Sequence, residues 1–338
     1  AGAMKICLYF EGEKMISTSG IGRALKHQKA ALASQGIEYT LDPDDDYDIL
    51  HINTVGPSSL GVIAKARKRG LKVIYHAHST EEDFRNSFVL SNQIAPVFKK
   101  LLITCYSKAD YIITPTPYSK SLLEGYEGIN VPIVDISNGI DLDRFHYNKE
   151  KVKAFRRYFS LKDEDKVVIS VGLYFERKGL LDFMEVAKQL PQYKFIWFGY
   201  TPLYTVPKKI REVIEEDHPH NVILPGYVKG PVIEGAYAGA DCFFFPSKEE
   251  TEGIVVLEAL ASSQQVLLRD IPVYDPWLLH GVNCYKGKTV ADFVDLTEKI
   301  VEGKVDNLTE NGRFTAESRS IECIGEKLRE VYEKVLAL

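Results

Sequence analysis

The stretch Val167-Val168-Ile169-Ser170-Val171-Gly172-Leu173-Tyr174-Phe175-Glu176-Arg177-Lys178-Gly179 decides the fold. A short, mostly apolar run stops at a glycine, as a parallel strand covered on both faces does. After it, residues 179–190 put Leu180, Phe183, Met184, Ala187 and Leu190 on one helical face. Strand, glycine loop and helix make half of a βαβ unit, and the pattern repeats in both directions. Downstream, residues 195–198, 241–245 and 266–268 read as strands. Upstream, residues 6–10, 48–53, 72–76 and 111–114 do the same, with helical stretches at 23–34 and 61–69. Ile321, Ile324, Leu328, Val331 and Val335 mark a last amphipathic helix. The predicted fold class is α/β, built on parallel sheets.

With 338 residues, the chain has room for two domains of about 150 each. The turn-rich Ser137-Asn138-Gly139-Ile140-Asp141 is the expected boundary. It gives a first domain at 1–140, a second at 141–317, and a helix at 318–338 expected to pack back on the first. Hydrophobic residues at 45% and charged residues at 26% are globular values, which exclude a disordered chain or a fibre. A net charge of −5 argues against nucleic acid as the principal partner. No apolar run approaches the roughly 18 residues of a membrane span. Ala1-Gly2-Ala3 before Met4 reads as an expression scar, and no export signal follows, so a cytoplasmic location is expected. The five cysteines, at 7, 105, 242, 284 and 323, are odd in number, scattered and without a C-x-x-C pair. They suggest buried thiols, not a disulfide framework or a zinc ribbon.

Three loops carry chemistry. Ser17-Thr18-Ser19-Gly20-Ile21-Gly22 lies between a strand and a helix, where small residues let backbone N–H groups approach a phosphate. The third glycine of the dinucleotide fingerprint is missing at Leu25, so an ordinary loop remains the alternative. In Gly172 to Gly179, two adjacent cations stand before a helix, against the macrodipole. A bound diphosphate would resolve that conflict; two solvated cations are the other reading. Pro246-Ser247-Lys248-Glu249-Glu250-Thr251-Glu252-Gly253 leads into Ile254-Val255-Val256-Leu257-Glu258. A helix starting near Gly253 offers the N–H groups of its first turn to a phosphate, and Glu250 and Glu258 can accept from hydroxyls. An acidic helix cap is the plainer alternative.

Taken together, these segments resemble the retaining glycosyltransferases of family 4, which have the GT-B fold. That family has a Gly-rich first loop, an Asn-Gly-x-Asp segment between domains, a strand-end Gly followed by Lys-Gly, and two glutamates separated by seven residues. Gly20 and Gly22, residues 137–141, residues 172–179 and residues 246–259 supply them in order. The resemblance implies two Rossmann-like domains facing each other across a cleft, with a UDP-sugar (UDP-glucose or UDP-galactose) as donor. It implies that Lys178 and Arg177 hold the diphosphate, Glu258 the ribose and Glu250 the donor sugar. Gly20, Gly22, Gly172, Gly253, Ile254 and Val255 would line the donor. The family's active-site histidine most nearly matches His78. His76 falls on the same side of an extended strand, so either can face the site. His76, Glu81 and Arg85 are expected on the acceptor side. Two departures stand out: Leu173 replaces the family's usual Arg, with Arg177 a candidate substitute, and Glu252 replaces an aromatic, either altering donor contacts or facing solvent.

No metal or cofactor is expected. Asp42-Pro43-Asp44-Asp45-Asp46-Tyr47-Asp48 contains an Asp-x-Asp spacing but reads as a solvated loop, and His218-Pro219-His220 as a surface turn. Residues 19–23, 47–53, 75–87, 115–120 and 195–207 resemble Firmicute members that extend glucosyl-diacylglycerol. A glycolipid acceptor at an anionic membrane surface is therefore expected, with the protein peripheral on the inner face. Lys65, Arg67, Lys68, Arg69 and Lys72, and Lys99 and Lys100 beside Phe98, Leu101, Leu102 and Ile103, are the candidate surface contacts. Ordinary amphipathic helices would look similar. Outside the transferases, a nucleotide-sugar epimerase and a non-catalytic nucleotide-sugar module remain the alternatives.

Overall fold

The computed structural model describes residues 3–12 and 20–338. The chain forms two compact units, each built on a six-stranded parallel sheet. The first unit holds the residues up to Phe84, then Gln93–Asp141 and Arg319–Leu338; the second holds Arg85–Asn92 and Leu142–Ser318.

In the first unit, β1 (Lys5–Tyr9), β2 (Glu38–Thr40), β3 (Ile49–Ile52), β4 (Lys72–His76), β5 (Tyr111–Thr114) and β6 (Ile133–Asp135) lie in the order β2-β1-β3-β4-β5-β6. The two-residue period of a strand sorts the side chains into two layers. Ile6, Leu8, Ile49, Ile74 and Ile113 pack with Ala31 and Leu32 and with Ile324, Leu328, Val331 and Val335 of the last helix. Cys7, Leu50, Val73, Tyr75 and Ile112 face the other way, onto Val62, Ala66, Leu102 and Leu123. Covering on both faces is why the central strands read as mostly apolar runs.

The second unit holds β7 (Val167–Val171), β8 (Lys194–Phe198), β9 (Val222–Gly226), β10 (Cys242–Phe245), β11 (Val266–Arg269) and β12 (Tyr285–Gly287) in the order β12-β11-β10-β7-β8-β9. Read in its own sequence order this is the doubly wound 3-2-1-4-5-6 arrangement, with the order reversing between β7 and β10. In the first unit it reverses between β1 and β3. Loops leaving the carboxyl ends of strands diverge at such a point and leave a crevice for a ligand.

The first glycine loop differs from expectation. Gly20 and Gly22 lie in the opening turn of the helix Gly20–Ser34 instead of in a loop before it, and residues 17–19 fall outside the described residues. The final helix, Ile321–Leu336, packs on Gly20–Ser34 at a close crossing. A Cβ on Gly325 would stand 2.6 Å from the Ala31 carbonyl oxygen. Gly325→Ala should therefore push the two helices apart and cost about 1–3 kcal/mol, as overpacking does. A lower urea midpoint checks this; an unchanged midpoint would mean that the crossing is not tight.

Candidate active site

In the second unit, the loops that follow β7 and β10 meet at the strand-order reversal. Gly179, at φ +81°, approaches so closely that a Cβ would lie 2.6 Å from the Pro246 carbonyl oxygen. The Lys248 N–H donates to the Arg177 carbonyl at 2.7 Å. Glu176–Lys178 forms a single 3-10 turn, and the helix Leu180–Gln189 starts after Gly179. This turn points both cations at Glu250. Arg177 Nη1 donates to Glu250 Oε2 at 2.6 Å, and Lys178 Nζ donates to Oε1 at 2.8 Å. The Lys178 ammonium also sits 5.4 Å from the centre of the Phe245 ring, and its stem runs along Gly172. Burial alone would raise the Glu250 pKa, but Lys178 and Arg177 outweigh it and the group is held below its usual range. The sequence left the two cations opposed to the macrodipole and offered a diphosphate as the remedy. In the folded chain Glu250 pairs with both, and one net positive charge remains on the three groups.

Gly253, at φ +97°, precedes the helix Ile254–Ala261. The first turn of that helix, with Ile254 and Val255, has N–H groups that no carbonyl within the helix can accept. Glu258, one turn in, is only 1% exposed and accepts from the Tyr237 hydroxyl at 2.8 Å. Glu252 is also 1% exposed, which removes the solvent-facing reading. Leu173, where the family has Arg, is exposed.

The first unit brings the histidines together. His76 ends β4 and is buried; His78 follows two residues later and is half-buried. Their rings stack with centres 4.3 Å apart, and His51 of β3 stacks on the other face of His76 at 5.1 Å. The Tyr332 hydroxyl and His51 Nδ1 share a hydrogen bond at 2.6 Å, and His51 Nε2 lies 2.9 Å from His76 Nδ1. Gln28 and Asn53 exchange two amide hydrogen bonds, and Asn53 Oδ1 meets His78 Nε2 at 2.8 Å. With Oδ1 an acceptor, His78 carries its proton on Nε2 and leaves Nδ1 as a lone pair. Burial lowers all three pKa values: His51 to about 3, His78 to about 4, and His76 well below the ordinary value, the last also through its two neighbours. These imidazoles are neutral at pH 7.

The model for "Glycosyltransferase Family 4" matches residues 29–144, and that for "Glycosyl transferases group 1" matches residues 152–315. A processive diacylglycerol alpha-glucosyltransferase of Acholeplasma laidlawii is 50% identical over 99% of both chains. The chain belongs to glycosyltransferase family 4. An alpha-galactosylglucosyldiacylglycerol synthase of Streptococcus pneumoniae is 24% identical over 99% of this chain and 91% of its own. Among solved structures, the Anabaena HepE protein in complex with UDP-glucose superposes with a TM-score of 0.73, at 17% identity, over 98% of this chain and 100% of its own. The two parallel sheets are thus those of a GT-B glycosyltransferase. The epimerase and the non-catalytic module give way to a transferase.

Other predicted positions in this glycosyltransferase scatter. Glu81 starts the short helix Glu81–Phe84 of the first unit, its N–H donating to the Tyr126 hydroxyl at 2.8 Å. Arg85 groups with the second unit. Its neighbours Asn86 and Ser87 accept the N–H groups of Arg177 and Glu176 through their carbonyls. The acidic loop 42–48 and the basic end of the helix Pro57–Lys68 face each other, with Lys65–Asp44 at 3.8 Å and Arg69–Asp46 at 3.6 Å. Arg67 pairs with Asp110 at 2.7 Å. Much of that basic run is therefore matched by acid. Lys99 lies over the Tyr126 ring, while Lys100 is exposed. His218 and His220 are on a turn beside Lys188. Sequence reasoning passed over Gln28, His51, Asn53 and Tyr332. The one available signal was alternation, since His51 and Asn53 share a face of their strand.

The histidine stack has a consequence for stability. In the unfolded chain each imidazole protonates near pH 6.5, whereas the folded pKa values lie well below. The unfolded state binds more protons in between, so stability should fall as pH drops from about 6.5 towards 4. His78→Gln should reduce that slope by about one proton. Urea unfolding across the range checks it; an equal slope in the variant would mean that His78 titrates normally in the fold.

Proposed function

We propose that this glycosyltransferase is a retaining α-glucosyltransferase that moves glucose from UDP-glucose to diacylglycerol and to its glucosylated products. The observation that carries the reading is the 50% identity over nearly the full length to the Acholeplasma laidlawii diacylglycerol enzyme. The triad at the strand-order reversal fits it. In this reading the second unit binds the donor, with the diphosphate between the Arg177–Lys178 turn and the first turn of Ile254–Ala261, and Glu258 on the ribose. The bond from the sugar C1 to the β-phosphate oxygen breaks, and a bond from C1 to the acceptor oxygen forms on the same face. The acceptor proton passes to the departing phosphate. Arg177 and Lys178 stabilise the charge that grows there, and no metal is needed. His78, neutral and held by Asn53, offers Nδ1 to a sugar hydroxyl.

Incubation with UDP-glucose or UDP-galactose and either diacylglycerol or glucosyl-diacylglycerol, followed by mass and linkage analysis, tests the reading. An α-glucosyl product from UDP-glucose is expected. Hydrolysis alone, or transfer only to soluble sugars, would end it. Lys178→Ala should lower kcat roughly 100-fold or more, the usual effect of losing one such contact. Glu258→Ala should weaken UDP itself. Glu250→Gln should weaken UDP less than Glu258→Ala does and slow transfer more, because it loosens the hold on Arg177 and Lys178 and leaves the ribose contact intact. Calorimetry beside transfer rates separates the two; equal losses of UDP affinity would contradict the division.

A peripheral position on the inner face of the membrane belongs to the same proposal. Among the described residues no helix is long and apolar enough to cross a membrane. The helix Ser91–Tyr106 leaves Ile94 and Val97 exposed, at 43% and 67%, with exposed Lys100 one further step of three along the same face. Apolar tips beside a cation suit an anionic lipid surface. Binding to anionic vesicles should be strong at low salt and released by high salt, and the paired change Val97→Glu and Lys100→Glu should weaken it about tenfold. Vesicle sedimentation that is blind to both salt and the variant would sink this part alone.

A further inference from the structure

We propose that Tyr274 is a further ligand-binding residue of the donor site, its hydroxyl donating to a phosphate oxygen of the nucleotide held at Gly253. The proposal rests on the donor reading above. Tyr274 closes the short 3-10 turn Pro272–Tyr274 that follows β11, the neighbour of β10 in the sheet. Its side chain is completely buried, yet its hydroxyl has no hydrogen-bond partner among the described residues. A buried phenol normally finds one, because a lost bond to water costs about 1–3 kcal/mol. The oxygen lies 3.7 Å from where a Cβ on Gly253 would stand. It therefore sits beside the start of the helix Ile254–Ala261, an eight-residue helix.

The phenol and the N–H groups of Ile254 and Val255 are donors, while the Val256 N–H is taken by the Gly253 carbonyl and the Glu249 and Glu250 carboxylates lie in range of the phenol. The N–H groups of Ile254 and Val255 lack partners within the helix and lie at its positive end. The nearby Glu250 carboxylate is already taken by Arg177 and Lys178. What fits among unpaired donors is an anion rich in acceptors, as a diphosphate is. Burial, with Glu250 adding to it, pushes the phenol pKa well up, so the proton stays available at neutral pH. Trp277, packed edge-on against the ring, holds it in place, and its own indole N–H donates to the Val273 carbonyl at 2.8 Å.

Tyr274→Phe keeps the ring and removes only the hydroxyl, so it tests the contact without opening a cavity. Two measurements on the full chain decide. The thermal midpoint of the ligand-free variant should equal or exceed that of the wild type, since an unpaired buried donor has been removed. The Kd for UDP should rise about tenfold or more, as expected for a hydrogen bond to a charged group, while that for uridine, which lacks the phosphates, should barely move. A lower midpoint would show the hydroxyl already paired in the free protein and overturn the proposal. So would unchanged UDP affinity, or equal losses for UDP and uridine. If the wild type does not bind UDP, the donor reading itself falls, and this contact with it.

Discussion

One carboxylate, Glu250, between two cations, Arg177 and Lys178, ties together the loops that follow β7 and β10 in the second unit. All three side chains are nearly buried, at 8%, 12% and 14% exposure. Removing three charges from water is expensive, and their mutual attraction repays it only when the geometry is good and the other lone pairs are satisfied. Here the geometry is good because the backbone leaves little choice. Gly179 lies flat against Pro246, the Lys248 N–H is bonded to the Arg177 carbonyl, and a 3-10 turn sets both cations on one side. The net result is a carboxylate held ionised and two cations held in place beside the first turn of the helix Ile254–Ala261. A site arranged in this way has little reorganisation left to make when charge develops, which is what electrostatic catalysis requires.

The first unit solves a different problem with neutral groups. Its strand-order reversal, between β1 and β3, carries the Glu11 carboxylate, which accepts from both the N–H and the hydroxyl of Ser59 at 2.8 Å. The N-terminus of the helix Pro57–Lys68, where Ser59 lies, already has its anion within the chain. Its neighbours β3 and β4 carry three stacked imidazoles, oriented from one side by Tyr332 and from the other by the Gln28–Asn53 amide pair. Tyr332 belongs to the last helix, so residues more than 250 positions apart meet in one hydrogen bond that orients the imidazole.

The central strands were legible because both faces of a parallel sheet are covered, and residues 6–10, 72–76 and 167–171 show it as mostly apolar runs. The strands that went unread are β2, β6, β9 and β12, the outermost of each sheet. An edge strand is paired on one side only and half exposed, and three of these have three residues, too few for a pattern. The site divides in the same way. Arg177, Lys178, Glu250 and Glu258 were legible because charge at the carboxyl end of a buried strand is conspicuous. That Glu250 would clamp both cations was not, since the pairing depends on how closely Gly179 meets Pro246. His51 and Tyr274 look in sequence like any polar residue in a core element; only the fold shows the first to be bonded on both nitrogens and the hydroxyl of the second to have no partner among the described residues.

The central claim is that the strand-order reversal of the second unit receives the donor nucleotide. Hydrogen exchange with and without UDP tests it most directly. The account predicts that added protection concentrates in residues 172–179 and 246–258, the two loops and the helix start that surround the triad. Protection that appears elsewhere in the second unit and leaves both segments unchanged would contradict it.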